Sequence, residues 1–175
     1  RRQYKAVTLD MNKRYADNWT ANVSYTYSRL EGNFDTDYNS GGTFNTSSFL
    51  QDGPGWFVED PNRYGLLSQD RPHVFKAFGS YDIKGITVGG FFRYQSGVAW
   101  EARGADSQSS TFNRYLEKAG TRRVNSWTNV DLLASYRLDL GMVGIKLEGR
   151  LLNVFNTQTA LTVDKVQYTD PYQGN

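Results

Sequence analysis

The chain has no cysteine, so neither a disulfide framework nor a thiolate metal site is open to it. Proline is scarce, four residues in 175, against seventeen glycines. Neither sign of charge dominates: twenty Lys and Arg face eighteen Asp and Glu, for a net charge of +2. That balance is too mild to argue for a nucleic-acid partner. No stretch approaches the roughly 18 consecutive apolar residues that a spanning helix requires, and mean hydropathy is −0.64. A bundle of membrane helices is thereby excluded. Membrane strands are not, because a barrel strand shows lipid only every second side chain and keeps a low average hydropathy. No secretory signal opens the chain. Arg1, Arg2, Gln3 and Tyr4 already read as strand, and the true N-terminus is expected to lie elsewhere.

What the chain has in quantity is aromatic side chains: twelve Tyr, ten Phe and four Trp. They fall within long runs of period-two alternation. From Gln3 onward, Val7, Leu9, Met11, Lys13 and Tyr15 share one parity, and Ala6, Thr8, Asp10, Asn12 and Arg14 the other. After a short turn at Ala16, Asp17 and Asn18, the run Trp19, Ala21, Val23, Tyr25, Tyr27 alternates with Thr20, Asn22, Ser24, Thr26, Ser28. Roughly a dozen residues at about 3.3 Å each, tilted by about 40°, climb close to 30 Å, the thickness of a bilayer core. The polar face is made of small Ser, Thr and Asn, as a wet interior prefers. Aromatics at both ends of the apolar stripe suit the two membrane interfaces.

Two more hairpins repeat the design. Phe75, Ala77, Gly79 and Tyr81 lead to a turn at 82–85, and Ile86, Val88, Gly90, Phe92 and Tyr94 return. Val130, Leu132, Ala134, Tyr136 and Leu138 lead to a turn near Leu140, Gly141 and Met142, and Ile145, Leu147, Gly149 and Leu151 return. Phe78, Phe91 and Leu133 break the polar parity. A seventh strand is expected from about Thr159 to Tyr168. Three connections are tight, and two are long, roughly 31–70 and 97–124. Loops of that length are uncommon in compact soluble domains. Short turns on one side and long loops on the other match outer-membrane barrels, with the loops outside. The expected fold class is therefore all-β: part of an antiparallel, up-and-down transmembrane β-barrel of about six or seven strands with long outer loops. The whole of residues 1–175 is read as a fragment of one barrel domain in the bacterial cell outer membrane, with outer-membrane lipid as its surroundings.

Candidate functional residues follow from position. In the outer loops Trp56, Phe57, Glu59, Arg63, Tyr64, Trp100 and Arg103 are candidates for ligand contact: rings stack on sugar or siderophore rings and charges steer them. The competing reading, that the loop aromatics pack the loops together, is the stronger. On the inner parity Asp131, Arg93, Arg137 and Arg150 are candidates for lining a wet lumen, with Lys146 and Glu148 beside them. Asp35, Asp37 and Asn39 place oxygen ligands at alternate positions, as a calcium loop does. The pattern then fails, with Ser40 at its sixth position and Thr46 at its twelfth, and a solvated loop is the better reading. No other metal site and no cofactor are expected. His73 is the only histidine, without the neighbours that catalysis requires. Asp70 and Arg71 are placed to anchor the loop to the rim, and Pro72 fits the first position of a strand. An enzyme is not expected.

The order of short motifs carries a resemblance. Asp60-Pro61-Asn62-Arg63-Tyr64-Gly65 is followed by Asp70-Arg71-Pro72-His73, Gly79-Ser80-Tyr81, Tyr94-Gln95-Ser96-Gly97, Val130-Asp131-Leu132 and Leu152-Asn153-Val154-Phe155-Asn156. This order resembles the C-terminal barrel portion of TonB-dependent outer-membrane receptors. The Oar-like group is most similar, and its full chains carry a carboxypeptidase-regulatory-like domain before plug and barrel. The resemblance implies a barrel of about 22 strands around a plug, energised through TonB, that takes up a large scarce solute such as a siderophore or an oligosaccharide. Plug and TonB-coupling segments are absent from these 175 residues, and Asp170-Pro171-Tyr172-Gln173-Gly174-Asn175 departs from the terminal aromatic strand of the family. The chain is therefore read as truncated at both ends, with the TonB system a partner through a missing N-terminal part. A passive porin and a surface adhesion or secretion-associated barrel are the alternatives.

Overall fold

The computed structural model describes residues 1–33, 62–106, 109–163 and 166–167, and along 103–106, 109–114 and 166–167 it describes backbone alone. In chain order the strands are β1 (Arg2–Ala16), β2 (Trp19–Gly32), β3 (Gly65–Leu66), β4 (His73–Ile83), β5 (Ile86–Gln95), β6 (Ala99–Trp100), β7 (Arg103–Asp106), β8 (Ser109–Tyr115), β9 (Arg122–Arg123), β10 (Trp127–Asp139), β11 (Gly144–Leu151) and β12 (Val166–Gln167). No helix occurs among the described residues. Six long strands form one antiparallel sheet in the order β1-β2-β4-β5-β10-β11, with β3 paired to the far end of β2. Each long strand thus lies beside its predecessor in the chain, an up-and-down meander. The sheet is open, with β1 and β11 at its edges.

Its two faces are those the alternation predicts. Leu9 stands opposite Tyr25 and Met11 opposite Val23, Tyr25 opposite Phe75 and Ala21 opposite Gly79. Gly79 in turn meets Gly90, Gly90 meets Leu132, and Leu132 meets Leu151. Directly opposed residues project to the same side, so one apolar surface runs across all six strands. The other side runs Asp10, Ser24, Lys76, Arg93, Asn129. A slip of one residue in any pairing would exchange the faces, which is why the pattern fixes register so firmly.

The tight turns have chemistry to match. Asp17 (φ 54°) and Asn18 (φ 66°) both take the left-handed conformation, the two-residue hairpin geometry that Asn and Asp tolerate. Lys84 (φ 47°) and Gly85 (φ 83°) do the same between β4 and β5. Beyond β10 a four-residue loop closes with Leu140 N–H donating to the Val143 carbonyl at 2.9 Å.

Among the described residues of the expected strand over 159–168, none joins the main sheet. Residues 159–163 have no regular structure, and the two residues of β12 pair in parallel with β7, away from the main sheet. The cause lies just past β11. Asn153 (φ 49°) and Asn156 (φ 48°) turn left-handed, and the Asn153 amide donates to Asp131 Oδ1 at 2.8 Å. Val154 N–H donates to the Val130 carbonyl at 2.8 Å, and Asn153 Oδ1 accepts from the Thr157 amide at 3.0 Å. The Leu152–Asn156 motif is thus a stop that folds the chain back onto β10. The second long loop also differs from expectation, since it contains β6 to β9.

Burial is concentrated at the loop end. Among the described residues the buried apolar side chains are Leu30, Leu67, Ala99, Ala102 and Ala119, all around the roots of the two long loops. Among the described residues nothing comparable covers the wide apolar face: Val7, Leu9, Met11, Leu147 and Leu151 are each more than half exposed.

Candidate functional site

At the end of the sheet opposite the tight turns, one carboxylate joins the two long loops. Asp70 is 2% exposed. Its Oδ1 accepts from the Leu30 amide at 2.6 Å, and its other oxygen is paired with the Arg123 guanidinium. Arg123 Nη1 also donates to the carbonyls of Asp70 (3.0 Å) and Gly97 (2.9 Å). The first loop ends at Asp70, and Gly97 and Arg123 bracket the second, so this one pair locks both roots. Beside it Leu66 N–H donates to the Ala119 carbonyl (3.2 Å) and Ala119 N–H to the Asn62 carbonyl (2.8 Å). A Cβ on Gly97 would run into the Val124 carbonyl oxygen, and one on Gly120, at φ 70°, would meet Leu66.

Of the loop residues singled out from sequence, Arg63 is 3% exposed and its Nε donates to the Asn33 carbonyl at 2.8 Å, inside the loop root. Tyr64 is 42% exposed. Trp100 is half-buried, with the Arg122 guanidinium 5.0 Å from its ring centroid. Arg122 Nε lies 2.7 Å from Glu117 Oε1, the same oxygen that accepts from the Ala102 amide at 2.8 Å. That backbone hydrogen bond first, and Arg122 after it, hold the Glu117 carboxyl below its ordinary range against the opposing effect of desolvation. The Arg103 backbone pairs with Tyr115 and Val166. Trp56, Phe57 and Glu59, and the calcium candidates Asp35, Asp37 and Asn39, lie outside the described residues. No group of three or more His, Asp or Glu is arranged to hold a metal ion among the described residues.

On the polar face, Asp131 is taken up by the Asn153 amide. Arg150 Nε donates to Glu148 Oε1 at 2.6 Å, and Lys146 Nζ sits 2.8 Å from Glu148 Oε2. Arg137 stands opposite Lys146 in the register. Arg93 Nη2 donates to Gln95 Oε1 at 3.0 Å, and its guanidinium lies 5.4 Å from the Trp127 ring centroid. The structure thus separates Arg93, near the loop end, from the charge chain of β11.

Sequence reasoning missed Lys76, directly opposite Arg93, although its parity marked it for the polar face. It also missed Arg123, whose role depends on a partner 53 positions away. His73 belongs to the apolar face, opposite Tyr27. Its Nδ1 lies 2.8 Å from Tyr25 Oη, and its ring centroid is 5.4 Å from that of Tyr27.

Comparison with known proteins agrees in kind with this architecture. Over 184 aligned positions, covering 94% of the chain, it is 29% identical to the TonB-dependent transporter Oar of Myxococcus xanthus. The chain spans about a sixth of that protein's length, 16%. No family model matches, and no solved structure matches. The similarity supports a relationship to TonB-dependent receptors, carried by an all-β antiparallel sheet.

Proposed function

We propose that the chain is a section of the wall of one outer-membrane β-barrel domain, with two outer loops, from a TonB-dependent receptor that takes up a large, scarce solute. The observation that carries this reading is the continuous apolar face. It runs across six strands with no core against it among the described residues, and each large side chain left in water forgoes up to about 1.5–3 kcal/mol. Soluble monomers rarely expose an apolar patch beyond a few hundred Å². Lipid is the environment that covers such a face without a second protein layer, and strands that close into a barrel leave no unpaired edge within it.

The polar face then lines the lumen, the tight turns face the periplasm, and the tied loop roots form the outer mouth. In this reading the solute meets the outer loops first and the polar wall below them. A plug and the contact with TonB belong to other parts of the same protein. Similarity to a transporter favours uptake over a permanently open porin, an adhesion barrel or an enzyme. The solute class, whether siderophore, oligosaccharide or similar, is part of the proposal and not of the fold.

The test is made on the full-length protein in its own bacterium. It is expected in the outer-membrane fraction, migrating faster on a gel unheated than heated. Accumulation of its solute, found by screening iron chelates and oligosaccharides, is expected to stop when TonB is deleted. Recovery in the soluble fraction, or uptake indifferent to TonB, contradicts the reading.

A further inference from the structure

We propose that Arg71, Lys76 and Arg93 form an oxyanion-binding site on the polar wall just below the loops, which takes a carboxylate or phosphate group of the solute. This rests on the reading of that face as the lumen. Lys76 and Arg93 stand directly opposite each other on β4 and β5, a position where side-chain roots are about 4.5–5.5 Å apart and like charges are destabilising. Arg71 enters the same patch from the end of the first loop, with Nη1 donating to the Ser96 carbonyl at 3.3 Å. Burial first, and then the charge of Arg93, push the Arg71 guanidinium below its ordinary value. Arg93 has its Nη2 on Gln95 and its plane beside Trp127, while its Nε is buried with no hydrogen-bond partner.

Five cations elsewhere are paired with carboxylates: Arg123 with Asp70, Arg122 with Glu117, Arg29 with Glu31, and Lys146 and Arg150 with Glu148. No carboxylate is paired with Arg71, Lys76 or Arg93 among the described residues. Asp131 lies diagonal to Arg93 across the β5–β10 pair and forms no ion pair with it among the described residues, and its Oδ1 accepts from the Asn153 amide. Asp10 is opposite Ser24, which is itself opposite Lys76, so it lies two strands away, about 9–10 Å. A buried donor without an acceptor is costly, and three uncompensated cations in one patch add repulsion to that cost. An oxyanion relieves both. It accepts from the Arg93 Nε edge in the forked manner that guanidinium favours, with Lys76 and Arg71 completing its charge.

The experiment is calorimetric titration of the full-length receptor in detergent with citrate and with inorganic phosphate as probes, in low salt and with added sodium chloride. Saturable binding of at least one probe is expected, weakened by salt and weakened about tenfold or more in Arg93→Gln and in Lys76→Gln, as the loss of a charge-assisted hydrogen bond implies. Arg93→Lys keeps the charge without the fork and is expected to fall between. Arg14→Gln, a cation far down the same face, is expected to bind as the parent does. Citrate binding without phosphate binding assigns a carboxylate, and the reverse assigns a phosphate. Lys76 is exposed, so its variant reports even where Arg93→Gln fails to fold. No saturable binding up to about 10 mM, or equal binding in parent and Lys76→Gln, overturns the site. A receptor still in the outer membrane with TonB-dependent uptake would then retain its proposed function while losing this one.

Discussion

The Arg123 guanidinium reaches the Asp70 carboxylate and the carbonyls of Asp70 and Gly97, so removing it strands a carboxylate that is almost wholly buried. Deleting one partner of a buried ion pair costs about 3–5 kcal/mol. Arg123 is 30% exposed, which puts Arg123→Ala toward the lower end of that range. Its expected signature in the full-length protein is rapid protease cleavage in both long loops at once, and a parent-like cleavage pattern would contradict the lock. Gly97→Ala drives a methyl into the Val124 carbonyl and is expected to cost about 1–3 kcal/mol, the usual penalty of overpacking, read as a lowered unfolding midpoint. Glu117 supplies a pH dependence. Its carboxyl is held below the ordinary glutamate range, so its contribution is present above that range and is lost as pH falls through the folded value. The protection factor of the Ala102 amide, its exchange rate relative to the intrinsic rate at the same pH, is expected to fall on moving from neutral to strongly acid buffer, and Glu117→Gln is expected to abolish the difference.

At the scale of elements, the hairpin turns decide how the strands return. Asn18 sits at φ 66°, where a β-carbon collides with the backbone. Asn18→Val is therefore expected to destabilise the first hairpin by about 1–2 kcal/mol, while Asn18→Gly is close to neutral. Equal effects would mean that the turn is not left-handed. This is also the scale at which the sequence was most informative. Period two across Val7–Tyr15, Trp19–Tyr27 and Val130–Leu138 identifies both faces because successive side chains of a strand point to opposite sides of its sheet. The seventh strand was misread because residues 159–168 alternate locally, whereas the stop at Asn153 depends on the Asp131 carboxylate 22 positions earlier. The short strands β6 and β9 were invisible for the same reason, since each pairs with a segment more than twenty positions distant. Of the proposed anion site, parity revealed Arg93. Only the register shows that Lys76 faces it, and only the folded first loop brings Arg71 alongside.

At the scale of the whole molecule, the proposed wall requires the two faces of this sheet to meet two different solvents. These 175 residues carry no cysteine, so single cysteines can be placed along β1 and β2 and labelled with a fluorophore in the full-length protein, any cysteine outside this section replaced by serine, reconstituted into lipid bilayers. Positions 9, 11, 21 and 23 belong to the apolar face, and 10, 12, 22 and 24 to the polar one. Brominated acyl chains are expected to quench the first set and spare the second, and a water-soluble quencher is expected to do the opposite. The signals would then alternate residue by residue along both strands. Uniform access of the water-soluble quencher to all eight positions, with no response to brominated lipid, would contradict the membrane wall and, with it, the proposed uptake.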